Sequence, residues 1–185
     1  MRGHDARNTS DKFNAGNGKL GSMAKGDAKL GEKIRGALDS VFTAQVKVQE
    51  RLVDEWRTNA EQYVNDWGRL DYRNGWFEGL DGRPVRTKLE KDVLVYALQS
   101  DEAIMMQYAL CFLHKWLQDR GWIYGDDYRF VANIHDEYQT LVHKDKVDEY
   151  IALADKSIEY AGQYLNIQCP HIGESDVGHN WAETH

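Results

Sequence analysis

The chain carries three adjacent residues that could bind a metal ion, His135-Asp136-Glu137. They lie between two apolar, β-branched runs, residues 129 to 134 and 138 to 142, which predict two antiparallel strands joined by a tight turn. Acidic side chains at such a tip point toward solvent, where their oxygens can hold a hard divalent cation. The spacing predicts a metal site, although Asp and Glu also occur at turns for turn chemistry and solvation alone.

Long amphipathic helices are expected to position this hairpin. Apolar residues recur at helical spacing over residues 30 to about 67, 88 to 120 and 144 to 165. A connector rich in Gly, residues 75 to 84, predicts turns around a short strand at Trp76-Phe77. Residues 1 to 28 have no clear periodicity and predict a loop or a frayed start. These elements indicate an α+β fold in which long helices pack on a small antiparallel sheet.

Composition narrows the class of protein. The chain has 185 residues, of which 42% are apolar, and its six Trp and ten Tyr suffice for a core. Two cysteines far apart in sequence do not form a disulfide framework, and no secretory signal or membrane span is apparent, so a soluble, cytoplasmic protein without a membrane partner is expected. The net charge of −7 argues against nucleic-acid binding by charge alone.

The segment around the acidic triplet resembles a known motif. Residues 134 to 139, Ile-His-Asp-Glu-Tyr-Gln, are similar to motif C of the family A (polymerase I-like) DNA polymerases, in the version of T-seven-type bacteriophages. Further matches occur in the same order and spacing as in that family, over about residues 13 to 185. They are Ala15-Gly16 with Lys19-Leu20-Gly21, Gly79-Leu80-Asp81-Gly82-Arg83, Leu98-Gln99-Ser100 with Ala103, and Gly178-His179-Asn180-Trp181-Ala182-Glu183-Thr184-His185.

The resemblance implies a domain organisation. Residues 1–28 would follow the nucleotide-binding helix of the fingers, residues 29–74 would be a helical end of the fingers, and residues 75–185 would form a partial palm. The motif C hairpin would lie at residues 129–142 of that palm. A partial polymerase palm with the end of the fingers is therefore the expected fold.

The resemblance also implies roles for the triplet. Asp136 would be a ligand of Mg²⁺ in a two-metal site, Glu137 would lie in the second tier of that site, and His135 would contact the primer end. All three are candidate catalytic residues, and His135 is in addition a candidate DNA-binding residue. The substrates would be a DNA primer-template and a dNTP.

Three residues outside the hairpin are candidates for DNA binding. Gln99 matches a helix glutamine of the family that touches the minor groove. Lys91, eight residues before Gln99, can stand in for the family's basic residue at that position, and Arg83 ends the Gly-Leu-Asp-Gly-Arg turn. Two departures weaken minor-groove checking: Val95 stands where the family has Asn, and the acidic pair Asp101-Glu102 replaces two small residues.

Family A polymerases carry a second catalytic Asp on an earlier strand and triphosphate-binding residues on the fingers helix, and neither is found in this sequence. One carboxylate cluster cannot place two Mg²⁺ ions. The chain is accordingly interpreted as a C-terminal fragment or subunit of a phage-type DNA polymerase acting in DNA replication. It would be inactive alone and completed by an N-terminal polymerase portion encoded separately, in the cytoplasm of a bacterial host. The alternative is a non-catalytic relic, or a DNA-binding or interaction module on a palm scaffold.

Overall fold

The computed structural model describes residues 17–134 and 136–184. The chain divides into two compact units, one that ends at Ser100 and one that begins at Asp101. The division falls within one long helix, and each unit is described by itself. In the described part of the chain, no helix combines the length and apolarity needed to cross a membrane.

Among its described residues, from 17 onward, the first unit contains three helices, two β-hairpins and the start of a fourth helix. Its antiparallel hairpins pair Glu61–Val64 with Leu70–Arg73 and Gly75–Glu78 with Pro84–Thr87. A single 3-10 turn, Glu90–Asp92, precedes the fourth helix. The elements are α1 Asn17–Met23, α2 Ala28–Val41, α3 Thr43–Thr58, β1 Glu61–Val64, β2 Leu70–Arg73, β3 Gly75–Glu78, β4 Pro84–Thr87 and α4 Val93–Asp119.

A fully buried tryptophan organises the core of this unit. Trp56 on α3 packs with Phe77 of β3 and with Val93 and Ala97 at the start of α4. The Trp56 indole Nε1 donates a hydrogen bond of 3.1 Å to the carbonyl oxygen of Thr87, so burial leaves no unpaired donor on the ring. The core therefore joins α3 to the β3–β4 hairpin.

The second unit contains the rest of α4, a hairpin and one further helix. The strands are β5 Tyr128–Ile134 and β6 Glu137–Val142, and the helix is α5 Val147–Tyr164. Two apolar clusters form its core, one between α4, the hairpin and α5, and one whose buried residues lie on α4 and α5. Their buried members are Leu113, Leu117, Trp122, Tyr128, Tyr150, Leu153 and Ala154 in the first, and Met105, Met106, Ala109 and Ala161 in the second.

Most of the predicted elements are confirmed. The helices expected over residues 88 to 120 and 144 to 165 are α4 and α5, and Trp76-Phe77 lies in β3. Helix-rich architecture with small antiparallel sheets confirms the α+β class.

The helix predicted as far as residue 67 is wrong over its last part, residues 59 to 67. α3 ends at Thr58, and the β1–β2 hairpin follows, so the segment 29–74 is not wholly helical. A local turn overrides the apolar spacing: the Asn65 carboxamide oxygen accepts from the amides of Trp67 and Arg69, and Gly68 adopts a φ of +70°.

The start of the chain also differs from the prediction of a loop over residues 1–28. Residues 1–16 lie outside the described structure, but Asn17–Met23 is helical. Leu20 is 2% exposed, and a Cβ on Gly21 would collide with the Asp27 carbonyl oxygen. Close packing of α1 against the start of α2 thus gives this polar segment its helix, which sequence periodicity does not show.

Replacing Gly75 by Ala tests the packing around the buried tryptophan. A Cβ on Gly75 would lie 2.6 Å from the Trp56 ring and from its carbonyl oxygen, and the backbone atom cannot move away freely. We expect Gly75→Ala to lower the free energy of unfolding by about 1–3 kcal/mol, measured by urea denaturation. The control is Gly36→Ala on α2, where a Cβ meets no atom within 4 Å and helix propensity favours Ala. Equal stability of the two variants would contradict the packing.

Candidate functional site

The β5–β6 hairpin presents Asp136 at its tip. Ile134 pairs with Glu137 at the last register position, so Asp136 lies in the turn between the strands. Its side chain is exposed, as the sequence predicts for an acidic residue at a hairpin turn. His135, predicted beside it, lies outside the described residues. The predicted hairpin geometry is therefore confirmed for Asp136.

One extra residue bends β5 shortly before this tip. Phe130 pairs with Thr140, and the next pair is Ala132 with Gln139, so Val131 has no opposing residue. Such a β-bulge increases the local twist and re-aims the side chains that follow it. Val131 is 52% exposed, which places the irregularity on the surface.

Two tyrosines fix the hairpin on α5. The Tyr138 hydroxyl lies 3.3 Å from both the Ala154 carbonyl oxygen and the Ser157 Oγ, and the Tyr150 hydroxyl donates a bond of 2.7 Å to Thr140 Oγ1. Burial raises the pKa of both Tyr138 and Tyr150. Both hydroxyls consequently stay protonated and available as donors around neutral pH, and the strand that follows Asp136 is held rigidly.

An ion pair closes the base of the hairpin. The Asp127 carboxylate accepts a hydrogen bond of 2.9 Å from the Lys146 Nζ and one of 2.7 Å from the Ile123 amide. The Asp127 backbone carbonyl accepts a hydrogen bond of 2.8 Å from the His143 amide. The Lys146 ammonium also lies 4.6 Å from the centre of the Trp122 ring. The hydrogen bond from Lys146, and after it the one from the Ile123 amide, lowers the pKa of Asp127.

A cleft of about 450 Å³ lies beside the tip. It is bounded by β6, by one face of α5 and by the C-terminal segment from residue 174 to 184. Carboxylates line it from all three sides: Asp136, Glu137, Asp155, Glu174 and Asp176. This concentration of negative charge attracts cations and repels phosphates.

The carboxylates fit part of a magnesium site. Asp136 offers exposed, hard oxygen ligands of the kind that Mg²⁺ binds, and Glu137, partly buried, accepts a bond of 3.4 Å from the Gln139 amide. Among residues 17–134 and 136–184, no three His, Cys, Asp or Glu side chains converge closely enough to hold a metal ion. Asp136 is therefore a candidate metal ligand that the other described residues do not complete into a metal site.

The other predicted residues belong to the first unit. Arg83 ends the β3–β4 loop, and its Nη2 lies 2.5 Å from Asp81 Oδ2, which lowers the pKa of that carboxyl. Gly82 in the same loop has a φ of +82°, a conformation that favours glycine. Lys91 is exposed on the 3-10 turn, and Gln99 is exposed on α4. Asp136 and Glu137 share one cleft of the second unit, whereas Arg83, Lys91 and Gln99 lie on separate elements of the first.

Sequence reasoning missed the residues that hold the site together. Tyr138, Tyr150 and Ser157 were not singled out, and neither was the contact between Ser175 and Asp155. Tyr138 and Thr140 alternate on one strand, which indicates a shared face, but their partners on α5 are remote in sequence and give no local signal.

Comparisons with known proteins place the chain among polymerases. No family model matches it. It is 30% identical over 182 residues to a DNA-directed DNA polymerase of Escherichia phage Phieco32, covering 94% of this chain and 26% of that protein. It is 25% identical over 169 residues to DNA polymerase I of Aquifex aeolicus, covering 88% of this chain and 28% of that protein.

A solved structure has the same fold. The POL domain of Pol1 from M. smegmatis, in complex with DNA primer-template and dNTP, superposes with a TM-score of 0.62 at 16% identity. The match covers 86% of this chain and 27% of that one. At this identity the likeness shows the fold alone.

The hairpin, the helices that hold it and these relatives define the class as a DNA polymerase fold of the palm type. More closely, the chain is similar over most of its length to part of a family A, polymerase I-like DNA polymerase. It spans about a quarter of the length of the curated relatives it matches.

Removing the Lys146 ammonium tests the clamp at the hairpin base. Because the folded protein lowers the pKa of Asp127 from 3.8, the ion pair stabilises the fold above about pH 4 and this contribution is lost as the pH falls through the lowered pKa. We expect Lys146→Met to raise the pKa of Asp127, measured by ¹³C NMR of its carboxyl carbon. Lys115→Met breaks the exposed pair with Asp119 on α4 and should leave that pKa unchanged. The same pKa in both variants would contradict the clamp.

Proposed function

We propose that this chain supplies the motif C hairpin to template-directed nucleotidyl transfer in DNA replication. The observation that carries the proposal is the exposed Asp136 carboxylate at the tip of a hairpin clamped at both ends, in a chain homologous to DNA polymerases. A rigidly held carboxylate suits this chemistry, since a metal ligand displaced by an ångström loses much of its effect.

Within the site, Asp136 is the proposed metal ligand. Glu137 supports Asp136 from beside it without being a metal ligand itself. His135, which lies outside the described residues, is proposed to contact the primer end. Asp136 would hold Mg²⁺ on this side of the site, and a two-metal arrangement would supply a lowered pKa for the primer hydroxyl and neutralisation of the leaving pyrophosphate. Tyr138, through its bonds to α5, keeps the adjacent strand from moving when charge develops at the tip.

DNA contacts are proposed for the first unit. Gln99 and Lys91 are exposed and free to meet the primer-template, Gln99 through the minor groove and Lys91 through a phosphate. Arg83 already forms an ion pair with Asp81. Its proposed contribution to DNA binding is therefore to keep the loop in shape and to place a positive charge at the edge of the loop. With a net charge of −7, these contacts alone give weak, salt-sensitive binding.

The remaining parts of the active site are proposed to come from an N-terminal polymerase portion encoded separately. This portion would add the second catalytic carboxylate and the triphosphate-binding residues, and the assembled enzyme would bind primer-template and dNTP in the cytoplasm of a bacterial host.

A chimeric polymerase tests the proposal. The stretch of the Phieco32 polymerase that matches this chain is replaced by residues 1–185, and primer extension with Mg²⁺ is measured. We expect the chimera to extend primers, Asp136→Ala to reduce extension by more than about 100-fold, and the isolated chain to show none. Asp126→Ala is the matched control, because Asp126 is also an exposed turn aspartate but lies beyond the opposite end of the same hairpin.

The controls separate a lost metal ligand from a lost fold. Substitution of an exposed side chain changes stability by less than about 0.5 kcal/mol, so both aspartate variants should unfold at the same urea concentration as the parent. Full extension by the Asp136→Ala chimera would overturn the proposal. It would favour the non-catalytic palm module, for which the incomplete set of metal ligands among the described residues is the supporting observation.

A further inference from the structure

The segment after α5 packs along that helix. His171, Gly173 and Ser175 are partly buried, whereas the residues between them are exposed, Ile172 to 88%. This alternation is typical of an extended backbone with one face against a surface. The segment from 171 to 175, here called the strap, therefore has an inner and an outer face.

The inner residues of the strap together meet three positions on α5, namely 155, 158 and 162. The Ser175 Oγ donates a bond of 2.7 Å to Asp155 Oδ1. A Cβ on Gly173 would lie 2.7 Å from the Asp155 Cα and 3.1 Å from the Ile158 Cδ1. A Cβ on Gly162, which is itself part of α5, would lie 3.2 Å from the His171 ring.

The two spacings match geometrically. Positions 155, 158 and 162 are three and four residues apart and form one stripe of the helix, about 10 Å long at 1.5 Å per residue. The strap from 171 to 175 spans about 13 Å at about 3.3 Å per residue. An extended strand running antiparallel to the helix can thus place every second residue on this stripe, and glycine at 173 and at 162 permits the close approach.

The end of the chain beyond the strap forms a capped turn. Asn180 Oδ1 accepts from the Ala182 amide at 3.1 Å, and the Glu183 carboxylate accepts from the His179 amide at 2.8 Å and from the Asn180 amide group at 2.6 Å. A Cβ on Gly178 would lie 2.6 Å from the Glu183 Cβ, so a side chain there would open the turn. Residues 178 to 181 and Thr184 line the cleft that Asp136 and Glu137 also line.

We propose that the strap is a positioning device: Gly173 and the Ser175–Asp155 hydrogen bond hold the C-terminal turn in place as one wall of the motif C cleft. The wall shapes the cleft for the primer-template and contributes no reacting group. This inference rests on the proposed polymerase function for its kinetic consequence, but its structural part stands independently.

The structural part is tested on the 185-residue chain by hydrogen exchange. We expect Gly173→Ala and Ser175→Ala to speed exchange of the amides from 176 to 184 by about tenfold, since local opening requires fewer contacts to break. Exchange in α5 and in the hairpin should not change. Ile172→Ala is the matched control, because Ile172 adjoins Gly173 and faces outward. Unchanged exchange in both strap variants would overturn the inference.

The kinetic part is tested in the chimeric polymerase. If the wall positions DNA, Gly173→Ala and Asp155→Ala raise KM for primer-template by about tenfold and leave kcat within about twofold. Asp155→Asn keeps the acceptor for Ser175 and should rescue the KM. A merely structural role would instead lower kcat by reducing the active fraction at constant KM, and that result would overturn the positioning role.

The two levels of failure are distinguishable. A parent chimera that does not extend primers contradicts the proposed function, while the exchange result still decides whether the strap holds the turn. A parent chimera that extends primers, combined with strap variants of unchanged KM, contradicts the positioning role alone.

Discussion

The attachment of the β5–β6 hairpin to α5 is the constraint on which the candidate site depends. A two-stranded hairpin is marginally stable by itself in water, so its tip can present Asp136 in a fixed place only if other elements hold the strands. Tyr138 and Tyr150 provide this support through buried hydroxyls that bond across to α5 and to Thr140. Because an unpaired buried hydroxyl is costly, these bonds also fix which face of β6 meets the helix.

The same helix serves two elements at once. The face of α5 that carries Ala154 and Ser157 receives the hairpin, while Asp155, Ile158 and Gly162 receive the strap. The two faces are adjacent around the helix, since neighbouring residues point about 100° apart. The cleft between hairpin and C-terminal turn follows from this arrangement.

Sequence patterns predict the elements that are locally determined. The β-branched runs around Asp136 and the long periodic stretches of α4 and α5 need no remote information, and all three are confirmed. The β1–β2 hairpin was missed because Tyr63 continues the apolar spacing of α3, and the turn chemistry of Asn65 and Gly68 has to outweigh it. Helix α1 was missed because its stability comes from packing on α2. The strap was not predicted either, because its defining feature is the alternate burial of residues 171 to 175, and this burial depends on contacts with α5.

The assignment of chemistry to Asp136 came from resemblance, and the structure explains why composition could not supply it. A net charge of −7 argues against a DNA-binding surface, yet part of that charge is concentrated in one cleft, where Asp136 and Glu137 stand opposite Asp155, Glu174 and Asp176. Carboxylates placed together raise the local concentration of divalent cations and repel the phosphates of DNA. In a polymerase of this kind, metal binding would therefore have to precede or accompany DNA binding at the tip, because only neutralised carboxylates can accept a phosphate beside them.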